Sequence, residues 1–162
     1  MSETITIGIT EAKVATAPAI LVSYGLGSCI AIALYDPETK VGGLAHPLLP
    51  EPVAEPAGST LSAKYTNHAV DLLLAELLEN GCALPRVVAK LAGGASMFDS
   101  LYQNFRAVVG ERNLAAAKEA LERHGIPIVA EDTGGDFGRS VEFNTATGKM
   151  VIRALHQATK II

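Results

Sequence analysis

An α/β fold of the α+β type, with mixed and largely antiparallel strands flanked by helices, is predicted for this chain by three observations. Short β-branched runs joined by hairpin turns occupy both ends of the sequence, and two segments with helical apolar spacing lie between them. The length, 162 residues, suits one ordinary domain, expected to span positions 1–162. With 49% hydrophobic and 19% charged residues, the chain has the composition of a packed globular protein rather than a disordered one.

Charge and targeting signals narrow the function classes. A net charge of −4 lacks the basic surplus needed to neutralise a run of phosphates, so nucleic acid is not expected as a partner. The N-terminus has no basic segment leading into an apolar one, and no apolar run approaches the roughly 18 residues of a membrane span. A cytoplasmic protein without membrane insertion is the expectation. In that setting Cys29 and Cys82 are expected as two thiols rather than a disulfide.

The elements follow in order. Alternating or β-branched runs predict strands over Thr4 to Ile9, Lys13 to Ala17 and Ile20 to Tyr24, then a loop, Gly25-Leu26-Gly27-Ser28. The apolar run from Cys29 to Tyr35 meets Asp36-Pro37-Glu38-Thr39, where proline presets φ and aspartate caps the turn, and a second strand runs on to His46. Four prolines over residues 47–58 predict an extended surface loop, placed to act as a lid. Ser59 or Ser62 is expected to cap a helix that runs to Asn80 and stops at Gly81. A strand from Arg86 to Leu91 comes next, ending in Ala92-Gly93-Gly94-Ala95, followed by a helix from about Asn113 to His124. Ile126 to Ala130 is read as a strand, the glycines after Asp132 as a turn, and Val141 to Asn144 with Lys149 to Leu155 as a closing hairpin.

The first hairpin carries the chemistry. Closing on Asp36 and Thr39, it pairs Cys29 directly with His46, on one face and with Cβ atoms about 4.5–5.5 Å apart. An imidazole that accepts the thiol proton turns cysteine into a nucleophile, and the imidazolium can later protonate a leaving amine. Backbone N–H groups of Gly27 and Ser28 are placed to form an oxyanion hole, and Ser23 to hold the far imidazole nitrogen. A buried cysteine and a lone histidine are more often plain packing residues; the spacing and the glycine loop are what favour catalysis here.

Other motifs carry less. Asp132-Thr133-Gly134 spells an aspartic protease tripeptide but lacks the leading apolar residue and a second copy. Gly25-Leu26-Gly27 has no third glycine and leads into a strand, unlike a dinucleotide loop. The remaining histidines form no close pair, so no metal or organic cofactor is expected.

The run from Ser23 through Cys29 to Pro37, followed by Gly42-Gly43-Leu44-Ala45-His46-Pro47, resembles the signature of the chemoreceptor glutamine deamidase family, CheD. The likeness continues through Lys90 to Ala95, Val109 to Asn113, Ala130 to Gly135 and Gly138 to Phe143, and so covers nearly the whole chain. It implies a sandwich fold like that of toxin-type cysteine glutamine deamidases. It further implies hydrolysis of selected glutamine side chains on methyl-accepting chemotaxis receptors, through a thioester on Cys29 with His46 as base. The family's third member is usually threonine, which Ser23 replaces with the hydroxyl kept and the rotamer-limiting methyl lost. A CheC-type phosphatase is the second implied partner. Two other readings stand beside it: a regulatory module that mainly binds phosphatase or receptor, and a hydrolase of receptor glutamate methyl esters.

Overall fold

A computed structural model describes residues 2–55, 60–97 and 103–162, with side chains from 109 onward in the last segment. Among these residues, ten strands form two five-stranded sheets. One sheet has the order β1-β3-β8-β9-β10, from Glu3–Thr6, Ala19–Leu26, Arg139–Asn144, Met150–Arg153 and Lys160–Ile161. The other has the order β2-β5-β4-β6-β7, from Ala12–Thr16, Val41–Ala45, Ile30–Asp36, Val88–Gly93 and Ile128–Thr133. Most pairings are antiparallel; β1 with β3 and β6 with β7 are parallel. Helices α1 (Thr66–Glu79) and α2 (Gln103–Arg123) cover one face of the second sheet, so the layers run sheet, sheet, helices.

The central strand β4 explains this layering. Its seven residues are all buried, as expected of a strand covered on both faces. Because side chains alternate, Ile30, Ile32 and Leu34 point to the helices and meet Ala69, Leu73 and Leu77 of α1 and Leu121 of α2. Ala31, Ala33 and Tyr35 point the other way, into a core shared with Leu21, Leu26, Val141 and Phe143 of the first sheet. Small alanines on that side let the sheets approach closely, and Tyr35 meets Phe143 edge-on at 5.5 Å. Burying each large aliphatic side chain contributes about 1.5–3 kcal/mol, so β4 is the strand on which both cores depend.

Several expected boundaries shift, each for a local reason. The helix expected from Ser59 or Ser62 starts at Thr66 instead, and Ser59 lies outside the described residues. Its first N–H groups need no side-chain cap, because those of Thr66 and Asn67 donate to the carbonyls of Leu49 and Pro50. The segment after His46 is thereby stitched to α1. Helix α2 begins ten residues before the expected Asn113, running through Gly110. A short 3-10 turn, Leu84–Arg86, takes the place of the expected strand start, so β6 begins at Val88. Glu131, Asp132 and Thr133 extend β7 past the expected end at Ala130, because they pair in parallel with Leu91, Ala92 and Gly93. Among the described residues no helix is long and apolar enough to cross a membrane.

Candidate active site

The β4–β5 hairpin has a different register from the one expected. Its closing pair is Asp36 with Val41, followed by Tyr35 with Gly42 and on to Ile32 with Ala45. Four residues lie between the closing pair; Lys40 takes φ 55° and its N–H donates to the Asp36 carbonyl at 2.8 Å, which lengthens the turn. The expected direct pairing of Cys29 with His46 is therefore corrected: the register is displaced by two positions, and both residues lie beyond the last pair, Ile32 with Ala45. A shift of two preserves the face, whereas a shift of one would have separated the residues. Cys29 belongs to the inter-sheet core, and His46 reaches across the same interface to Ser23 of β3.

Beyond Ile32 and Ala45 the hairpin opens. His46 leans on the β2 side, its N–H donating to the Glu11 carbonyl at 3.0 Å and its carbonyl accepting from Thr10 N–H at 2.8 Å. Cys29 leans on β6, where its carbonyl accepts from Gly94 N–H at 2.8 Å. Gly93 makes that approach possible: with φ 104°, any side chain there would put a Cβ only 2.4 Å from the Cys29 oxygen.

Ser23 is the last residue of the regular β3–β8 ladder before a bulge. Between Ser23 and Leu26 the β3–β8 register slips, Gly25 takes φ 70°, and Tyr24 turns out to solvent. Ser23 and Leu26 can then both face inward, fully buried, although they are three residues apart. The Ser23 Oγ is 2.7 Å from the Ile7 carbonyl and 2.8 Å from His46 Nδ1. A hydroxyl has one proton and a carbonyl only accepts, so Ser23 donates to Ile7 and accepts from His46. The proton of neutral His46 therefore sits on Nδ1. Its Nε2 carries a bare lone pair, buried and without a protein partner among the described residues.

Burial disfavours the charged form of both Cys29 and His46. Burial pushes the Cys29 thiol above its ordinary 9.0, opposed by a hydrogen bond from its own backbone. Burial likewise holds His46 below 6.5. Nε2 has no hydrogen bond to the Cys29 sulfur, so the pair is a thiol and an imidazole on one face, not a preformed ion pair.

The glycine loop is held from behind. The Gly27 carbonyl accepts from Ala95 N–H and the Ser28 carbonyl from Asn113 Nδ2, both at 2.9 Å. The N–H groups of Gly27 and Ser28 meet no acceptor among the described residues. Cys82 is elsewhere, buried at the turn end 3.5 Å from Thr39 Oγ1. Asp132, from the protease-like tripeptide, is neutralised by Arg139 and Lys160, both at 3.1 Å. Sequence reasoning missed Asn113, which it placed at a helix start; the available signal was an asparagine inside a helical pattern, where that residue is unfavourable without a task for its side chain.

Comparison with known proteins gives a consistent set of relatives. Residues 48–154 match the family described as CheD chemotactic sensory transduction. Over 160 residues, 99% of either chain, this one is 62% identical to the probable chemoreceptor glutamine deamidase CheD 2 of Geobacter metallireducens. It is 56% identical to the probable chemoreceptor glutamine deamidase CheD 3 of Geobacter sulfurreducens, again over 99% of each. With the chemoreceptor glutamine deamidase CheD of Halalkalibacterium halodurans it shares 40% over the full length of both. The family match begins just past His46, whereas these full-length relatives span the candidate site as well.

Proposed function

This chain belongs to the CheD family, and from that premise we propose that it is a protein-glutamine deamidase of chemoreceptors that works through Cys29. The observation that carries the reading is the bare Nε2 of His46, its tautomer set by Ser23 and Ile7, on the inter-sheet face that also holds Cys29.

In the reaction, Nε2 takes the thiol proton as sulfur attacks the carboxamide carbon of a receptor glutamine. Gly27 and Ser28 N–H groups receive the developing oxyanion. The imidazolium returns its proton to the departing nitrogen, and ammonia leaves a thioester on Cys29. Water, deprotonated by Nε2, then attacks the thioester, releasing glutamate and restoring the thiol. Ser23 supports each step by stabilising the imidazolium through its Nδ1–H. All of residues 1–162 act as one deamidase domain in the cytoplasm, with no cofactor entering the balance, and with the helical cytoplasmic part of the receptors and a CheC-type phosphatase as partners.

Mass spectrometry of a receptor cytoplasmic fragment tests this. Each converted glutamine adds roughly one dalton, with one ammonia released, and Cys29→Ala abolishes both while keeping the fold. Full activity in that variant would overturn the nucleophile. Tight binding without any mass change would mark a regulatory module instead, and loss of methyl groups from esterified fragments a methyl-ester hydrolase.

A further inference from the structure

We propose that Asn113 is a positioning residue for this chemistry, a clasp that fixes the Cys29 strand end relative to the His46 strand end; the proposal rests on the deamidase reading above. Its carboxamide nitrogen donates to the Ser28 carbonyl at 2.9 Å and to the Leu48 carbonyl at 3.2 Å. Both acceptors are carbonyls, so the nitrogen must face them and the amide orientation is fixed. Ser28 precedes the nucleophile by one residue, and Leu48 follows the base by two.

Such a clasp is needed because the ladder fails there. Direct pairing between β4 and β5 ends at Ile32 and Ala45. Past that point Cys29 is tied to the β6 side and His46 to the β2 side, so each reactive residue takes its position from a different outer strand. Among the described residues, Asn113 alone hydrogen-bonds to both segments 27–29 and 47–49. Without it, the distance from sulfur to Nε2 would vary with every relaxation of the opened strands.

Helix α2 is built to deliver this side chain. Asn113 lies well inside the helix and is fully buried. One turn earlier, Gly110 presses against the loop after β6, where a Cβ would lie 2.4 Å from the Ala95 carbonyl. That loop supplies the Gly94 and Ala95 N–H groups that hold the Cys29 and Gly27 carbonyls. One helix face therefore braces the nucleophile loop twice, once through packing at Gly110 and once through hydrogen bonds from Asn113.

The test uses the full chain with Asn113→Ala and the near-isosteric Asn113→Asp, neither of which can donate as the amide does at neutral pH. If Asn113→Ala does not fold, Asn113→Ser, smaller and with one donor, replaces it. Displacement of reacting groups by about 1 Å costs on the order of 100-fold, so kcat should fall about 10- to 100-fold with KM changed less than about twofold. Alkylation of Cys29 by iodoacetamide, followed by peptide mass spectrometry, supplies the second readout. Near neutral pH, where the sulfur must pass its proton to Nε2 as it attacks, it should be slower than in the wild type, and the difference should vanish at strongly alkaline pH, where the thiol has already lost its proton to solvent. A merely structural role would instead loosen the loop and speed alkylation at every pH. Faster alkylation, or an unchanged kcat in a chain whose Cys29→Ala variant is inactive, would overturn the clasp alone; an active Cys29→Ala variant would sink the deamidase reading itself.

Discussion

Each end of the β4–β5 hairpin holds one fully buried polar side chain, Asp36 at the turn end and His46 at the open end, and the two are oppositely provided for. At the turn end, the Asp36 carboxylate accepts from the N–H groups of Glu38, Thr39 and Ala83 and from Arg86, whose Nη2 lies 2.8 Å away. At the open end, His46 Nε2 and Asn113 Oδ1 are buried without a protein partner among the described residues. A buried polar atom left unpaired costs about 1–3 kcal/mol, so the contrast concerns purpose rather than quality of packing. The turn end is arranged for stability; in the proposed reaction the lone pair left bare at the open end is the one that receives the thiol proton.

The largest expected effect breaks the open end. His46→Leu keeps roughly the side-chain volume, removes the base and leaves Ser23 bonded to Ile7. Deamidation should fall about 10²- to 10⁴-fold, the usual contribution of a general base. Stability to urea should stay within about 1 kcal/mol of wild type or rise, because a buried unpaired atom has gone. A loss of several kcal/mol would mean that the imidazole holds the sheets together, and the contrast between the two ends would collapse.

The next effect breaks the turn end. Burial alone would raise the Asp36 pKa, but Arg86 and the Ala83, Glu38 and Thr39 N–H groups outweigh it and bring the value from 3.8 down to about 2. A carboxyl with a lowered folded pKa adds stability above its unfolded value and loses it as pH falls through the folded one. The distance between the two values corresponds to about 2 kcal/mol. Asp36→Asn should therefore lower stability by ~2 kcal/mol at neutral pH, flatten the loss of stability otherwise seen between pH 3.8 and about 2, and leave deamidation unchanged. Equilibrium urea unfolding at several pH values checks all three, and a drop in activity would show that the turn end also governs the site.

These two ends were unequally legible in the sequence. Asp36-Pro37 announced a turn and the apolar runs announced its strands, because turn chemistry and period-two burial are local signals. The register was not local: it depended on Lys40 adopting a left-handed conformation, and nothing in that residue type demands one. The face was still read correctly, since the error was an even number of residues. Ser23 was legible by its distance from Cys29 in the motif, but the Ile7 carbonyl that fixes the tautomer was not, because it comes from the residue just past β1, 16 residues away. Asn113 was hidden for the same reason: its acceptors are 85 and 65 residues distant in sequence. What local pattern conveys is which residues face the core; what it omits is which side chain crosses to complete a hydrogen bond.

The smallest expected effect sharpens the comparison by asking whether the open end rests neutral. If Cys29 and His46 were an ion pair, the alkaline limb of kcat/KM would report loss of the imidazolium proton and fall below the ordinary thiol value of 9.0. In a neutral pair the working form is thiol plus bare imidazole. Activity is then lost in acid as His46 protonates, below 6.5 because burial disfavours the charged ring, and in alkali as the thiol ionises, above 9.0 because burial disfavours the thiolate. An unshifted imidazole would be half protonated at pH 6.5, so the neutral pair predicts more than half of the plateau rate at that pH, a difference of less than twofold. A kcat/KM profile measured from pH 5 to 10 separates the two states, and an alkaline limb below 9.0 would show that the hairpin's open end stores a charge that its burial argues against.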